Sequence, residues 1–184
     1  MIAIENTAVR GGGSIWTLQQ MADIRKFAVN KGVKTHLDGA RIFNALAETG
    51  DNPADVAKNF DTVSVCLSKG LGAPVGSVLL CNKDVETKAR RARKAFGGGM
   101  RQAGFLAAAG IYALDHHVKR LKDDHKRAKV LGNTLKNLPW VKSIDPVDTN
   151  IVVIEVEDST KALQVFSDNG IRAVKSVDPM KSAW

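Results

Sequence analysis

The spacing of apolar and polar residues predicts alternating strands and helices in the first third of the chain. Ile2 to Ile4 and Val33 to Asp38 are short apolar runs typical of strands. Between them, apolar residues recur at helical spacing from Leu18 to about Asn30, where a Lys and a Gly end the pattern. A strand, a helix and a strand in this order form a right-handed crossover, so we expect the two strands to be parallel.

Two further apolar runs lie between Thr62 and Leu80, separated by Ser68-Lys69-Gly70 and a loop of small residues. Both runs are rich in Val and Leu and too short for ordinary helices, so they predict buried strands. Lys69 then lies where the first run ends. A lysine among small and apolar residues is expected to be partly desolvated, which favours the neutral amine that attacks carbonyl groups. The alternative is an ordinary strand-turn-strand with a lysine facing solvent.

The middle of the chain is predicted to be mainly helical. Short helices are expected from Ile42 to Glu48 and from Asp51 through Ala57, and a basic helix from Lys83 to Phe96. A long helical stretch from Gln102 to about Leu138 begins nearly without charge and becomes amphipathic after Asp115. Its uncharged half should be buried between layers. Its charged half should lie on a surface, with His116, His117 and His125 solvated.

The last part of the chain predicts a second unit. Strands are expected at Lys142 to Asp145 and Asn150 to Val156, and a helix at Thr160 to Asn169. Ile171 to Val174 predicts an incipient strand. From Met180 to Trp184 no closing element is expected.

Composition indicates a globular protein without a membrane segment. The chain has 184 residues, 44% of them hydrophobic and 25% charged, as is typical of soluble domains. No apolar stretch of about 18 residues suggests a membrane span, and Met1 is not followed by a signal-peptide pattern. Cys66 and Cys81 lie within the apolar runs, so we interpret them as reduced core residues and expect a cytoplasmic protein.

The net charge of +8 raises the question of nucleic-acid binding. The excess lies mainly in Lys88–Lys94 and Lys119–Lys129, where helical periodicity is typical of a solvated helix face. Only 5% of the residues are aromatic and none are interleaved with these cations to stack bases. We therefore expect no nucleic-acid partner, and a basic nucleic-acid-binding module is the less favoured hypothesis.

Two polar segments follow successive predicted strands. Asp38-Gly39-Ala40-Arg41 comes at the carboxyl end of one strand and Ser68-Lys69 at the end of the next. Open α/β sheets bind ligands at this edge, so Asp38 and Lys69 are expected to converge on one crevice. The alternative for Asp38 is a carboxylate that only caps a turn.

Three motifs together resemble the L-threonine aldolases of the β-eliminating lyase superfamily: His36 to Ala45, Ser68 to Ser77 and Gly97 to Gly104. The resemblance runs from Ile2 to about Ala173. It implies an α/β fold: part of the large domain of a fold-type I, aspartate aminotransferase-like enzyme over residues 1–117, and an incomplete small α+β domain over residues 118–184. It also implies the cofactor pyridoxal 5'-phosphate, a small amino acid substrate and a homo-oligomer.

The resemblance also implies roles for the site residues. Lys69 corresponds to the lysine that forms the Schiff base with the cofactor, and Asp38 to the carboxylate that keeps the ring nitrogen protonated. Arg41 is expected to point toward the phenolic oxygen of the ring, with a surface arginine as the alternative. Ser68 is expected to donate to the phosphate, although a serine before a glycine turn is also common for structural reasons.

Two further residues are implied less directly. His36 lies two residues before Asp38, so both point to the same face of a strand. It forms either a hydrogen bond to Asp38 or the ordinary contacts of a strand histidine. Arg101 follows three glycines at a helix start, where the resemblance implies contact with the phosphate across a subunit interface. A purely structural arginine is the alternative.

The activity that the resemblance implies is retro-aldol cleavage of L-threonine or L-allo-threonine to glycine and acetaldehyde. The chain is expected to be truncated at both ends, without the upstream phosphate loop and ring-stacking histidine. The arginine that grips the substrate carboxylate is expected past Val177 and is not found. Ala8 and Val9 stand where the family that this chain resembles commonly has a His and an Asn. The alternative is therefore a non-catalytic fragment, or a paralogue, that needs a second polypeptide to complete the site.

Overall fold

The structure, a computed structural model, describes residues 1–175 and 181–183, the last three as backbone. Val177, Met180 and Trp184 lie outside the described residues. The chain forms two compact units. Unit 1 contains Met1–Asn6 and Trp16–Arg120, and unit 2 contains Thr7–Ile15 and the chain from Leu121 onward. The domain boundary predicted after residue 117 stays a prediction.

Unit 1 is built on a four-stranded sheet in the order β1-β2-β3-β4. The strands are β1 (Ile2–Glu5), β2 (Thr35–Gly39), β3 (Thr62–Cys66) and β4 (Ser77–Cys81). The first three are parallel, and β4 is antiparallel to β3. The predicted crossover is confirmed, because helix α1 (Leu18–Asn30) connects the parallel strands β1 and β2. The three parallel strands therefore end at one common edge.

Local sequence signals set the helix ends of unit 1. Thr17 and Gln20 form a capping box at the start of α1, with the Gln20 amide donating to Thr17 Oγ1 at 3.2 Å. Asn52 caps the short helix that begins at Pro53 by a single hydrogen bond, since its Oδ1 accepts from the Ala54 amide at 2.9 Å. The remaining helices of this unit are α2 (Ile42–Thr49), α3 (Pro53–Ala57), α4 (Lys83–Ala95) and α5 (Gly104–His117).

Two predictions of burial in unit 1 are wrong. Strand β3 is buried at Val63 and Val65, but Val78, Leu79 and Leu80 of β4 are 42%, 47% and 48% exposed. These side chains lie on the edge strand of the described sheet, where β4 pairs with β3 alone.

The uncharged helix is also exposed where burial was expected. In α5 only Gly110 and Ala113 are buried, whereas Phe105 is 67% and Ile111 61% exposed. The long predicted helix is in fact two helices, because α5 ends at His117 and α6 (Leu121–Leu135) begins in unit 2.

The amino end of the sheet is held by Asp61, which precedes β3. Its carboxylate accepts from Arg25 Nη1 at 2.7 Å, from the Thr35 amide at 2.8 Å and from Lys34 Nζ at 3.2 Å. Burial by itself raises the pKa of this carboxyl, but the hydrogen bonds from Thr35, Arg25 and Lys34 outweigh it and hold the pKa well below its usual range. Asp61 therefore ties α1, β2 and β3 together as an anion.

Unit 2 has a second, antiparallel sheet in the order β5-β6-β8-β7. Its elements after α6 are β5 (Val141–Ile144), β6 (Val153–Val156), α7 (Ser159–Asp168), β7 (Val174–Lys175) and β8 (Lys181–Ala183). The expectation of no closing element is wrong, since β8 pairs with both β6 and β7. A strand of three residues is too short to show an apolar pattern in the sequence, so its pairing with distant strands could not be predicted.

The core of unit 2 lies between α6 and its sheet. Ala128 and Leu135 pack with Val152, Ile154 and Val156. His125 is only 1% exposed, so the prediction that it is solvated is wrong. It lies four residues after Leu121 and three before Ala128, which places it on the buried face of α6. Among the described helices of both units, none is long and apolar enough to cross a bilayer.

Candidate functional site

The candidate site is the edge of the unit 1 sheet where β1, β2 and β3 end. Asn6 follows β1, Asp38 is the second-to-last residue of β2, and Ser68 and Lys69 follow β3. In the register of the sheet, Asp38 lies opposite Ser64 of β3 on one side and opposite Glu5 of β1 on the other. The structure therefore brings Asp38, Arg41, Ser68 and Lys69 to one edge of the sheet, as the sequence predicted.

Asp38 is exposed at this edge. Its Oδ1 accepts a hydrogen bond from the Ala40 amide at 3.0 Å, which closes the turn into α2. Oδ2 forms no hydrogen bond with the described residues. The backbone of Asp38 is also held in place, since its carbonyl accepts from the Asn6 amide at 2.9 Å. Asp38 thus caps the turn and still presents one carboxylate oxygen outward.

Gly39 is required directly after Asp38. A Cβ at this position would lie 2.6 Å from the backbone oxygen of Ser64 on β3. Contact this short with backbone is not relieved by moving a side chain. Glycine therefore permits β2 and β3 to approach where they carry Asp38 and Lys69.

Arg41 is the N-cap residue of α2 and is half-buried. Its backbone carbonyl accepts from the Asn44 amide at 2.9 Å, but its side chain does not cap the helix. The guanidinium forms no hydrogen bond or ion pair with a described residue. The helix start fixes the Arg41 backbone next to Asp38 and leaves its charge available to a ligand.

His36 lies on the same face of β2 as Asp38. Its Nδ1 is 2.8 Å from Thr62 Oγ1, and the two residues face each other in the β2–β3 register. The hydrogen bond described for this ring therefore goes to Thr62 and not to Asp38. It joins the two strands that carry Asp38 and Lys69.

Residues 67–76, here called the Lys69 loop, form an ordered turn. The Leu67 amide donates to the Gly76 carbonyl at 3.0 Å, and the Gly72 amide donates to the Lys69 carbonyl at 2.9 Å. Leu71 is buried, and Gly72 has a φ of 71°, which favours glycine. The loop backbone is therefore defined on both sides of Lys69.

Ser68 and Lys69 are both exposed. The prediction that Lys69 is partly desolvated is wrong for the described chain. The physical reason is that the flanking residues Ser68 and Gly70 are too small to shield a long side chain, and β4 on the far side is an edge strand. The amine of Lys69 is therefore accessible to a reagent or a ligand from solvent.

Three contacts seat the Lys69 loop on α5 and the turn that follows it. His117 Nδ1 lies 2.6 Å from the Leu71 carbonyl, and Arg120 Nη2 donates to the Gly70 carbonyl at 2.9 Å. Gly110 permits close packing, since a Cβ there would lie 3.1 Å from Leu67 Cδ1. His117 is thus held by a hydrogen bond, so the expectation that it is solvated is wrong, whereas His116 is exposed as expected.

Sequence reasoning missed His117 and Arg120 as parts of this site. They lie 46 and 50 residues along the chain from the carbonyls they contact, too far apart for any local pattern. The only available signal was a histidine and an arginine placed at the end of a helix, which is also a common structural arrangement.

Arg101 precedes α5 and is exposed. Its neighbour Gln102 has a φ of 49°, which is uncommon for a residue other than glycine. No described residue forms a hydrogen bond or ion pair with Arg101. The structure therefore does not join it to Asp38 or Lys69 through a described contact.

Neither of the two cavities described in unit 2 contains a candidate residue. The more apolar one has a volume of about 530 Å³ and is lined by Trp140, Val165 and Phe166, among others. Its lining also includes Glu157, Asp158 and Lys161, but none of the residues in the three sequence motifs, so size alone does not make it the site.

The fold is shared with a solved enzyme. The structure of Leishmania major threonine aldolase matches 98% of this chain and 53% of its own, with a TM-score of 0.74 and 18% sequence identity. A partly parallel α/β sheet followed by a small α+β unit is the fold of a partial fold-type I pyridoxal-phosphate enzyme, as predicted.

Within the fold-type I enzymes, the sequence comparisons identify a particular family. The sequence profile of the beta-eliminating lyase family matches residues 1–159, and the chain belongs to that family. The chain is 38% identical over 181 residues to low-specificity L-threonine aldolase 1 of Arabidopsis thaliana, covering 95% of this chain and 51% of the relative. It is 38% identical over 162 residues to low specificity L-threonine aldolase of Escherichia coli K12, covering 88% and 47%. The chain thus spans about half the length of these relatives, and the resemblance inferred from the motifs is confirmed.

Proposed function

We propose that this chain provides the lysine-bearing part of a pyridoxal 5'-phosphate-dependent threonine aldolase. The reaction is cleavage of the Cα–Cβ bond of L-threonine or L-allo-threonine, which yields glycine and acetaldehyde. The observation that carries the proposal is the pair Asp38 and Lys69 at the carboxyl ends of adjacent parallel strands. The relatives named as threonine aldolases support the choice of reaction.

The residues at the sheet edge fit the cofactor in their chemistry. Lys69 has an exposed amine for covalent attachment to the cofactor aldehyde, and Asp38 Oδ2 makes no hydrogen bond to described residues. When bound, the cofactor supplies an electron sink for the pair released from the breaking bond. In the proposal, the Asp38 carboxylate holds a proton on the ring nitrogen, which preserves that capacity.

The remaining candidates have supporting roles. Arg41, with its uncommitted guanidinium, would lie toward the phenolic oxygen of the ring, and the Ser68 hydroxyl would donate to the phosphate. Arg101 would bind the phosphate of a site shared with a second subunit. His36 would contribute indirectly, because its contact with Thr62 holds β2 against β3.

A second candidate function is supported by the exposed surface of unit 1. The apolar side chains of β4 and α5 are uncovered, which is unfavourable for a chain that acts alone. In this alternative the chain does not catalyse by itself and requires a second polypeptide to complete the site. A homo-oligomer and a cytoplasmic location belong to the main proposal.

Activity is tested in a chimera that has the full length of a relative. The matching segment of the Escherichia coli enzyme is replaced by the corresponding residues of this chain, and acetaldehyde release from both substrates is measured. The proposal expects turnover that Lys69→Arg abolishes. Turnover that Lys69→Arg leaves unchanged would contradict it. Activity of the chimera but not of the 184-residue chain favours the second candidate.

A further inference from the structure

The Lys69 loop carries its functional side chains away from regular structure, so its geometry depends on what its backbone contacts. Internal hydrogen bonds close the loop through Leu67, Gly72 and Ala73. They leave the carbonyls of Gly70 and Leu71, directly after Lys69, to partners outside the loop. Those partners are Arg120 and His117.

Gly72 lies next to the side chains of His117 and Arg120. A Cβ on Gly72 would lie 3.6 Å from His117 Nδ1 and 3.8 Å from Arg120 Nη2, so the residue faces both side chains. The distance of 2.6 Å to the Leu71 carbonyl requires that Nδ1 carries the proton, since a carbonyl oxygen only accepts. Tyr112 packs edge-on against the His117 ring, with centroids 5.6 Å apart, which limits rotation of the ring.

We propose that His117 and Arg120 are positioning residues that fix the Lys69 loop and thereby orient the Lys69 amine toward the site. They touch the backbone on the carboxyl side of Lys69 and not its side chain. Packing of Gly110 against Leu67 on the other side completes a seat for the loop on α5. The inference rests on the proposed function only for the role of Lys69, because the fixing of the loop is independent of any cofactor.

The test compares variants of His117 in the 184-residue chain. His117→Asn places its Nδ2 donor where the imidazole Nδ1 lies and retains the hydrogen bond. His117→Leu has a similar shape without a donor. His116→Leu is the matched control, because His116 is the adjacent residue, is exposed and stacks on Tyr112 without contacting the loop.

Two quantities are measured for each variant. Amide hydrogen exchange follows Gly72 and Ala73 in the loop, with Val63 and Val65 of β3 as the internal reference. Pyridoxal phosphate with borohydride then labels lysines, and peptide mapping gives the fraction of label on Lys69. We expect His117→Leu to raise loop exchange roughly 2- to 10-fold, the equivalent of one hydrogen bond, and to lower the Lys69 fraction. His117→Asn should restore both values.

The proposal is overturned if loop exchange in His117→Leu equals that in His116→Leu. It is also overturned if β3 exchange rises as much as loop exchange, since His117 would then act on global stability alone. Arg120→Gln, measured in the same way, keeps the test valid if His117→Leu does not fold. Faster loop exchange with no preferential Lys69 label in any chain would instead reject the proposed function and retain the positioning role.

Discussion

Asp61 gives a pH dependence with a defined sign. Its folded-state pKa is held below the usual value, so the unfolded chain binds a proton more readily in acid. Its contribution to the free energy of unfolding should be complete above about pH 5 and be lost as the pH falls below about 4. Asp61→Asn should cost roughly 1–3 kcal/mol near neutral pH and flatten this dependence.

The measurement is urea unfolding of the 184-residue chain between neutral and acid pH. Asp55→Asn is the control, because the Asp55–Lys58 pair is exposed and surface pairs contribute little. If the Asp61→Asn stability curve runs parallel to that of the unaltered chain, the proposed role of the Asp61 anion is wrong.

Residues at the sheet edge could be predicted from the sequence where the chemistry is local. Asp38 and Lys69 follow strands that the apolar pattern identifies, so their common edge could be inferred from the order of elements alone. The exposure of Lys69 and the contacts of His117 could not be predicted, because both depend on how distant elements pack. The role of Asp61 was missed for the same reason, since Arg25 lies 36 residues before it.

Elements with strong local signals were predicted well. The capping box at Thr17, the Asn52-Pro53 start and the left-handed Gly50 define helices that the sequence predicts to within one or two residues. The errors concern elements whose state depends on distant partners. Strand β4 is exposed because it is an edge, and β8 forms only by pairing with β6 and β7.

Gly39 should be essential to the pairing of β2 with β3. Gly39→Ala introduces a Cβ 2.6 Å from the Ser64 carbonyl oxygen and 3.3 Å from Ile42 Cβ, so the strands must separate. We expect a loss of roughly 1–3 kcal/mol in unfolding free energy. Gly104→Ala is the control, since a Cβ there meets nothing within 4 Å. Equal melting temperatures for the two variants would show that the strands tolerate the methyl group.

Several large apolar side chains in the described part of the chain are exposed to solvent. Phe96, Met100 and Phe105 are 90%, 60% and 67% exposed, in addition to the apolar residues of β4. An exposed apolar edge strand is a site of association. We therefore expect the isolated chain to form oligomers or aggregates, with an apparent mass in light scattering well above that of one chain.

A charge on the edge strand should reduce this association. Leu79→Lys places a cation on β4, whereas Val29→Lys makes the same change on α1, where Val29 is 60% exposed. The apparent mass should fall for Leu79→Lys and stay unchanged for Val29→Lys. A monomeric chain with a cooperative melt before any substitution would refute the expectation.

The central claim is that the edge formed by β2 and β3 is part of a pyridoxal-phosphate site with Lys69 as the reactive amine. The direct measurement is borohydride reduction of the chain with the cofactor, followed by peptide mapping of the pyridoxyl label. The claim predicts that most of the label lies on Lys69, and that Asp38→Asn lowers this fraction while Asp84→Asn, an exposed position on α4, does not. Label spread evenly over exposed lysines such as Lys88 and Lys94, with no excess at Lys69, would contradict it.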